Sequence, residues 1–170
     1  MFTDLSPPAL EPVALAEAKT FLRVDHDAED ALVQTLIRSA REQVERRASL
    51  ALIRRPVRVD VRVRSGCARL PVGPVADVTE VRVNGEIVEA DLQVSLGMPA
   101  LHVRTPHDGY AQVDLVAGFG PEAEDVPVPL RQAVLLLVAD AYEHREREAG
   151  FERTSLRVDA LIGPYWGPRL

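Results

Sequence analysis

Residues 127–148 read PVPLRQAVLLLVADAYEHRERE, and the helix that they predict, Val128–Glu148, decides the fold. Pro127 and Pro129 stand at its start, where a helix tolerates a missing N–H. Between Leu130 and Tyr142 the only charges are Arg131 and Asp140, and Ala133 to Ala139 is an unbroken apolar run. Wound into a helix, that run covers every face and leaves none for water. It is too short to cross a bilayer. The helix is either the buried centre of a domain or is shared between a core and a partner. A chain of 170 residues rarely encloses a helix completely, so self-assembly is one expectation.

Partners for this helix are sought upstream. Val13–Leu22 predicts a short helix with Leu15, Ala18, Phe21 and Leu22 on one side. Asp27–Ala48 predicts a longer one, with Asp27 as N-cap and Glu29 and Asp30 in the first turn, where the helix dipole favours acid. Its stripe of Leu32, Val33, Leu36, Ile37, Ala40, Val44 and Ala48 is continuous. Downstream, Ser155–Ile162 predicts a last short helix, stopped by Gly163-Pro164. Residues 1–12 carry three prolines and read as an extended arm, of the kind that is disordered or drapes over a neighbour.

Between the helical ends the period changes from 3.6 to 2. Val57, Val59, Val61 and Val63 alternate with Arg58, Asp60, Arg62 and Arg64, the pattern of a half-buried strand. Ser65-Gly66 turns the chain. Asn84-Gly85 is the strongest short-range hairpin signal, and it sets Val83 opposite Glu86 and Val81 opposite Val88. Leu92–Leu96, Leu101–Val103 and Val113–Ala117 are further alternating pieces. The expected fold is α+β, a helical bundle from the N- and C-terminal parts with an inserted antiparallel β-rich module. One domain is expected over 1–170, with an arm at 1–12, helices at 13–50, the β module at 56–120, helices at 127–163 and a tail at 164–170.

Composition narrows the function. Net charge is -6, so the protein as a whole is not a basic nucleic-acid binder. Cys67 stands alone, which excludes an intramolecular disulfide and a cysteine zinc site and agrees with a reducing compartment. The start of the chain lacks the basic and apolar regions of a signal peptide. No phosphate loop, dinucleotide fingerprint or nucleophile elbow is present. His26 lies between Asp25 and Asp27, a capping pattern rather than a metal set, and His144 sits among charged neighbours. No catalytic, metal or cofactor constellation emerges. Asp140 is the one acid inside the apolar helix, and it either pairs with an arginine across a subunit contact or sits at the solvent edge. The Arg54, Arg55, Arg58, Arg62, Arg64 stretch has three readings: a solvated strand face, a DNA-binding strand, or a surface for an acidic neighbouring subunit. Asp60 and the lack of interleaved aromatics count against DNA.

The order of motifs resembles the head–tail connector (adaptor) proteins of long-tailed bacteriophages and of phage-like gene transfer agents. The matching pieces begin with Val13–Lys19, Phe21–Asp25 and the acidic helix start Asp27–Leu32. Leu70–Val75 then precedes the Asn84-Gly85 hairpin, and Val126–Leu130 opens the apolar helix, which ends Ala141–Glu146. Leu161–Trp166 closes the match. Together they span nearly the whole chain. Where such proteins often end in a proline-tyrosine-arginine step, Trp166 stands here.

The resemblance implies a non-enzymatic structural protein of the particle neck, made in the bacterial cytoplasm and needing no cofactor. It implies a homo-oligomeric ring, commonly of twelve subunits, between portal protein and stopper, with DNA passing through the channel and no membrane involved. An acidic ring would repel DNA and let it slide. On this reading Leu156, Leu161, Ile162, Tyr165, Trp166, Arg169 and Leu170 are expected to contact the portal, or else to cover the domain's own core. Arg38, Arg41, Glu45, Asp140, Glu143, Arg145 and Arg147 are expected at the subunit interface. The alternative is a DNA-binding accessory protein of genome packaging that uses the Arg-rich strand 54–64.

Overall fold

The computed structural model describes residues 2–95, 98–103, 108–144 and 151–165. Among these the chain forms an α+β fold of four α-helices and antiparallel strands. It divides into two compact units, a strand-rich one built from Met1–Ala9 and Ser49–Pro121, and a helical one built from Leu10–Ala48 and Glu122–Trp166.

In the strand-rich unit, β1 (Phe2–Asp4), β2 (Arg55–Val63), β4 (Val75–Val83), β5 (Glu86–Ile87) and β8 (Gly109–Ala117) form one sheet in the order β1-β2-β8-β4-β5. A second sheet runs β3 (Cys67–Arg69), β7 (Met98–Val103), β6 (Ala90–Ser95). The alternation in β2 works as expected: Val57, Val59, Val61 and Val63 are buried while Pro56, Asp60 and Arg62 face water. They share a core with Val81 and Val83 of β4, Val113 and Leu115 of β8, and Ala68 of β3. Asn84 (φ 52°) and Gly85 (φ 91°) both take the left-handed backbone that a two-residue hairpin turn demands. Val83 pairs with Glu86, and the Val88 N–H donates to the Val81 carbonyl. Ser65 and Gly66 make a second tight turn, closed by two backbone hydrogen bonds of 2.9 Å between Arg64 and Cys67.

One expectation for this unit fails. Residues 2–4 do not hang free as an arm; β1 pairs with β2, Phe2 opposite Val59 and Asp4 opposite Val57. Edge pairing satisfies the arm's backbone groups, and Phe2 packs on the strand core.

In the helical unit, α1 spans Leu15–Leu22, α2 Asp30–Ala48, α3 Val128–Glu143 and α4 Phe151–Ile162. The helix α3 packs against α1, α2 and α4, which explains its lack of a polar face. Leu130, Ala133, Val134, Leu135, Leu137 and Val138 are buried, and so are Val33, Ile37, Ala40 and Val44 of the neighbouring α2 and Val158 and Ile162 of α4. Three helical neighbours therefore account for most of its girth.

Two helix ends differ from expectation. Asp27 does not cap α2, which begins at Asp30; its carboxylate accepts a 2.6 Å hydrogen bond from Lys19 instead. The charge-assisted bond to the ammonium is the stronger of the two uses. The helix α4 starts at Phe151, four residues before the expected Ser155. The end of α1 is a Schellman turn: Arg23 sits at φ 59°, and the N–H groups of Arg23 and Val24 return to the carbonyls of Thr20 and Lys19.

Candidate functional site

No group of His, Cys, Asp and Glu among the described residues is placed to hold a metal ion, and no helix among them is long and apolar enough to cross a membrane. What the chain offers is surface, and its charges decide which parts of that surface are free.

Much of the Arg-rich strand is already used. Arg55 is buried, with Nε donating to Asp4 at 2.8 Å and Nη1 to the Ile53 carbonyl at 3.1 Å. Arg58 forks onto Asp114, with Nε to Oδ1 at 2.5 Å and Nη2 to Oδ2 at 2.6 Å. That hydrogen bond is the main reason the Asp114 carboxyl titrates below its usual range and the Arg58 guanidinium above its own. Arg62 stands over the Tyr110 ring, 5.9 Å from its centroid. Nothing supports the DNA-binding alternative, and two of the strand's arginines, Arg55 and Arg58, are spent on Asp4 and Asp114.

The helical unit uses its charges internally as well. Arg41 is 4 % exposed and donates to Glu11 at 2.8 Å and to Glu45 at 2.7 Å, with Glu42 at 3.7 Å. Lys19 bridges Asp27 and Asp30, holding the α1–α2 turn. Hydrogen bonding to both acids raises the Lys19 pKa, and the same bond lowers that of Asp27. Arg131 of α3 reaches Glu17 of α1 at 2.7 Å, and the Tyr142 hydroxyl donates to Glu29. Asp140 has a partner that neither of its two readings foresaw. It accepts a 2.8 Å hydrogen bond from Thr154 on α4 and has His144 at 3.5 Å, both within its own unit.

Of the expected subunit-interface residues, Arg38 and Glu143 are exposed. Arg41 and Glu45 are buried and paired with each other, Asp140 is tied to α4, and Arg145 and Arg147 lie outside the described residues. Of the expected portal contacts, Leu156 is 72 % exposed, Leu161 and Tyr165 are half-buried and Ile162 is fully buried. Trp166, Arg169 and Leu170 lie outside the described residues. Sequence reading missed a groove of about 490 Å³ in the helical unit. Its apolar lining includes Leu10, Val13, Leu15 and Ile37, and its charged lining is Glu11, Arg38, Glu122 and Glu124. A periodic pattern could not reveal it, because the loop 122–124 and the segment 10–15 are far apart in the chain.

Residues 12–84 match the family described as phage gp6-like head–tail connector protein. No curated protein matches the chain in sequence. Solved structures match over its full length. A chain from the neck of an empty gene transfer agent particle, computed with C6 symmetry, is 28 % identical, with a TM-score of 0.82 and coverage of 100 % of this chain and 97 % of that one. A chain from the virion of a native gene transfer agent particle is 29 % identical with a TM-score of 0.79, and one from the neck of a native particle, computed with C12 symmetry, is 27 % identical with a TM-score of 0.77; coverage is again 100 % and 97 % for both. The family match runs from the segment before α1 to Asn84, and the fold is shared end to end with these neck and virion chains; together they support a structural head–tail connector role in the particle neck.

Proposed function

We propose that this connector works as a closed ring in the neck of a phage-like particle, between the portal protein and a stopper, with DNA passing through its channel. The carrying observation is the end-to-end match to neck chains from particles computed with C6 and C12 symmetry. Twelve copies fit both symmetries. A ring of identical subunits repeats one weak contact many times and so seals tightly without any single strong bond. The mechanism is geometric, and the protein acts without catalysis.

Within that reading, portal contact falls to the outward side of α4 and the tail beyond it. Leu156 is available there, while Ile162 anchors the helix from inside. Arg38 and Glu143 are the interface residues whose charges remain outward. The test is truncation after Gly163. The shortened protein should keep its folded circular dichroism spectrum and yield heads that do not join tails. Truncated protein that unfolds would instead make the segment part of the helical core. Symmetry-free imaging of the neck checks the ring itself.

A further inference from the structure

The two units carry charge unequally. Leu10–Ala48 and Glu122–Trp166 hold 11 Lys and Arg against 17 Asp and Glu, a surplus of 6 acids equal to the whole net charge of -6. Met1–Ala9 and Ser49–Pro121 hold 8 Arg against 9 acids. In a cyclic ring each contact joins two different patches of the same chain. A contact between two helical units would set acid against acid, which costs affinity.

The groove of the helical unit has a pattern that a second copy can complement. Glu122 and Glu124 form no ion pair among the described residues, the Glu122 side chain accepting the Asp125 N–H of the turn that it caps, and Arg38 is the cation of the lining. The turn between β2 and β3 carries the reverse pattern. Arg62, Arg64 and Arg69 are exposed and meet no carboxylate among the described residues. Asp108 lies beside them, its carboxylate accepting a 2.7 Å hydrogen bond from the Ser65 N–H. Cys67, the only cysteine, is exposed at this turn. Arginines at and beside the turn, with Asp108, meet Glu122, Glu124 and the single cation Arg38 of a largely apolar lining, whose third acid, Glu11, is spent on Arg41.

We infer that in the assembled ring the Arg64–Cys67 turn of one subunit seats in the groove of the next, with its arginines against Glu122 and Glu124 and its Asp108 toward Arg38. This rests on the ring reading above. It assigns the groove to a second copy of this chain rather than to the portal protein, and it makes the contact head-to-tail, as a closed ring requires.

Ala123 lies between the two rim acids, so Ala123→Cys places a thiol there and leaves both charges. Full-length A123C protein is assembled into particles, and the necks are treated with an oxidant or a short bis-maleimide. The expected product on a denaturing gel is a ladder of covalent multimers extending beyond the dimer, lost in A123C/C67S and in the wild type. Rings visible by imaging that give no product joining Cys67 to position 123 overturn the inference while leaving the ring reading intact. A product that joins position 123 to a different protein overturns it too and gives the groove to that partner. Necks without a ring bring down both readings. Charge exchange is the independent arm. Arg64→Glu alone, or Glu122→Arg with Glu124→Arg, should cut incorporation into necks by at least about tenfold. The three changes together should restore it, and failure of that rescue overturns the pairing.

Discussion

The strand-rich unit and the helical unit solve the same problem, where to put charge, in opposite ways. In the sheet, register sets outward cations beside acids on the neighbouring strand, as with Arg58 opposite Asp114. Such pairs satisfy one another on the surface, and the unit as a whole is close to neutral. In the helical unit one cluster is taken inside, Arg41 with Glu11 and Glu45, and the surplus acid is left outside. Cross-strand pairing is a local consequence of register. Helix packing imposes no such balance, so the helical surface can hold unmatched charge for something else to meet. The near-neutral unit keeps a few arginines at its β2–β3 turn that meet no carboxylate among the described residues, and the unit with an acidic excess is suited to such a patch.

The largest test of this contrast is Arg41→Ala. Glu45 is 3 % exposed and would lose the cation that justifies its burial. Removing one member of such a pair costs about 3–5 kcal/mol, read as a lower urea midpoint at unchanged slope. A cost under about 1 kcal/mol, the range of solvated surface pairs, would make the cluster surface-like and erase the difference between the units.

The next test falls on the strand-rich unit. Gly118 sits at φ 131°, with its N–H on the Pro74 carbonyl, and a Cβ there would lie 2.4 Å from Arg54 backbone atoms. Gly118→Ala should destabilise by about 2–4 kcal/mol, through strained backbone and steric clash together. An Ala variant as stable as the wild type would show that the 51–54 segment can shift away, and that this unit is less tightly determined than its pairing implies.

The smallest effect is in pH, and it separates the units. Asp114 and Asp27 both have carboxyl pKa values lowered by their hydrogen-bonded cations. Their contributions are complete above the ordinary carboxylate value of 3.8 and fade as pH falls through the lower folded values. Lys19 is raised above 10.5, so its contribution is complete below that value and is lost as pH rises through the higher folded one. Both units therefore loosen in acid, while only the helical unit loses a bridging ammonium in alkali, since an arginine stays charged. Between about pH 5 and 9 these pairs add no slope. Thermal melting of the wild type and of Lys19→Met across about pH 9–11.5 reads the alkaline limb; the variant should lack it.

Sequence reading reached the strand-rich unit most easily. The Val57–Val63 alternation and the Asn84-Gly85 dipeptide each determine a local geometry, and the hairpin pairs as those residues demand. The apolar run of α3 likewise required burial on all sides. What it could not reveal was the coverage, because α1 and α2 reach α3 from segments far away in the chain. The resemblance rested on the order of motifs, and end-to-end similarity to neck chains supports it.

Side-chain partners were the least legible part. Asp140 read as an acid that either pairs with an arginine across a subunit contact or sits at the solvent edge, and within the chain it accepts a hydrogen bond from Thr154 on another helix. Arg41 and Glu45 were expected at the subunit interface, and Glu11, thirty residues from Arg41, joins them in a cluster within the chain. Asp27 looked like a cap and is held by Lys19. By itself, the sequence determined the elements, their periods and the kind of protein, because propensity, alternation and turn chemistry act over a few residues. Only the tertiary structure decided which charges are spent within the chain and which remain on the surface, because those pairings depend on distances that folding alone creates.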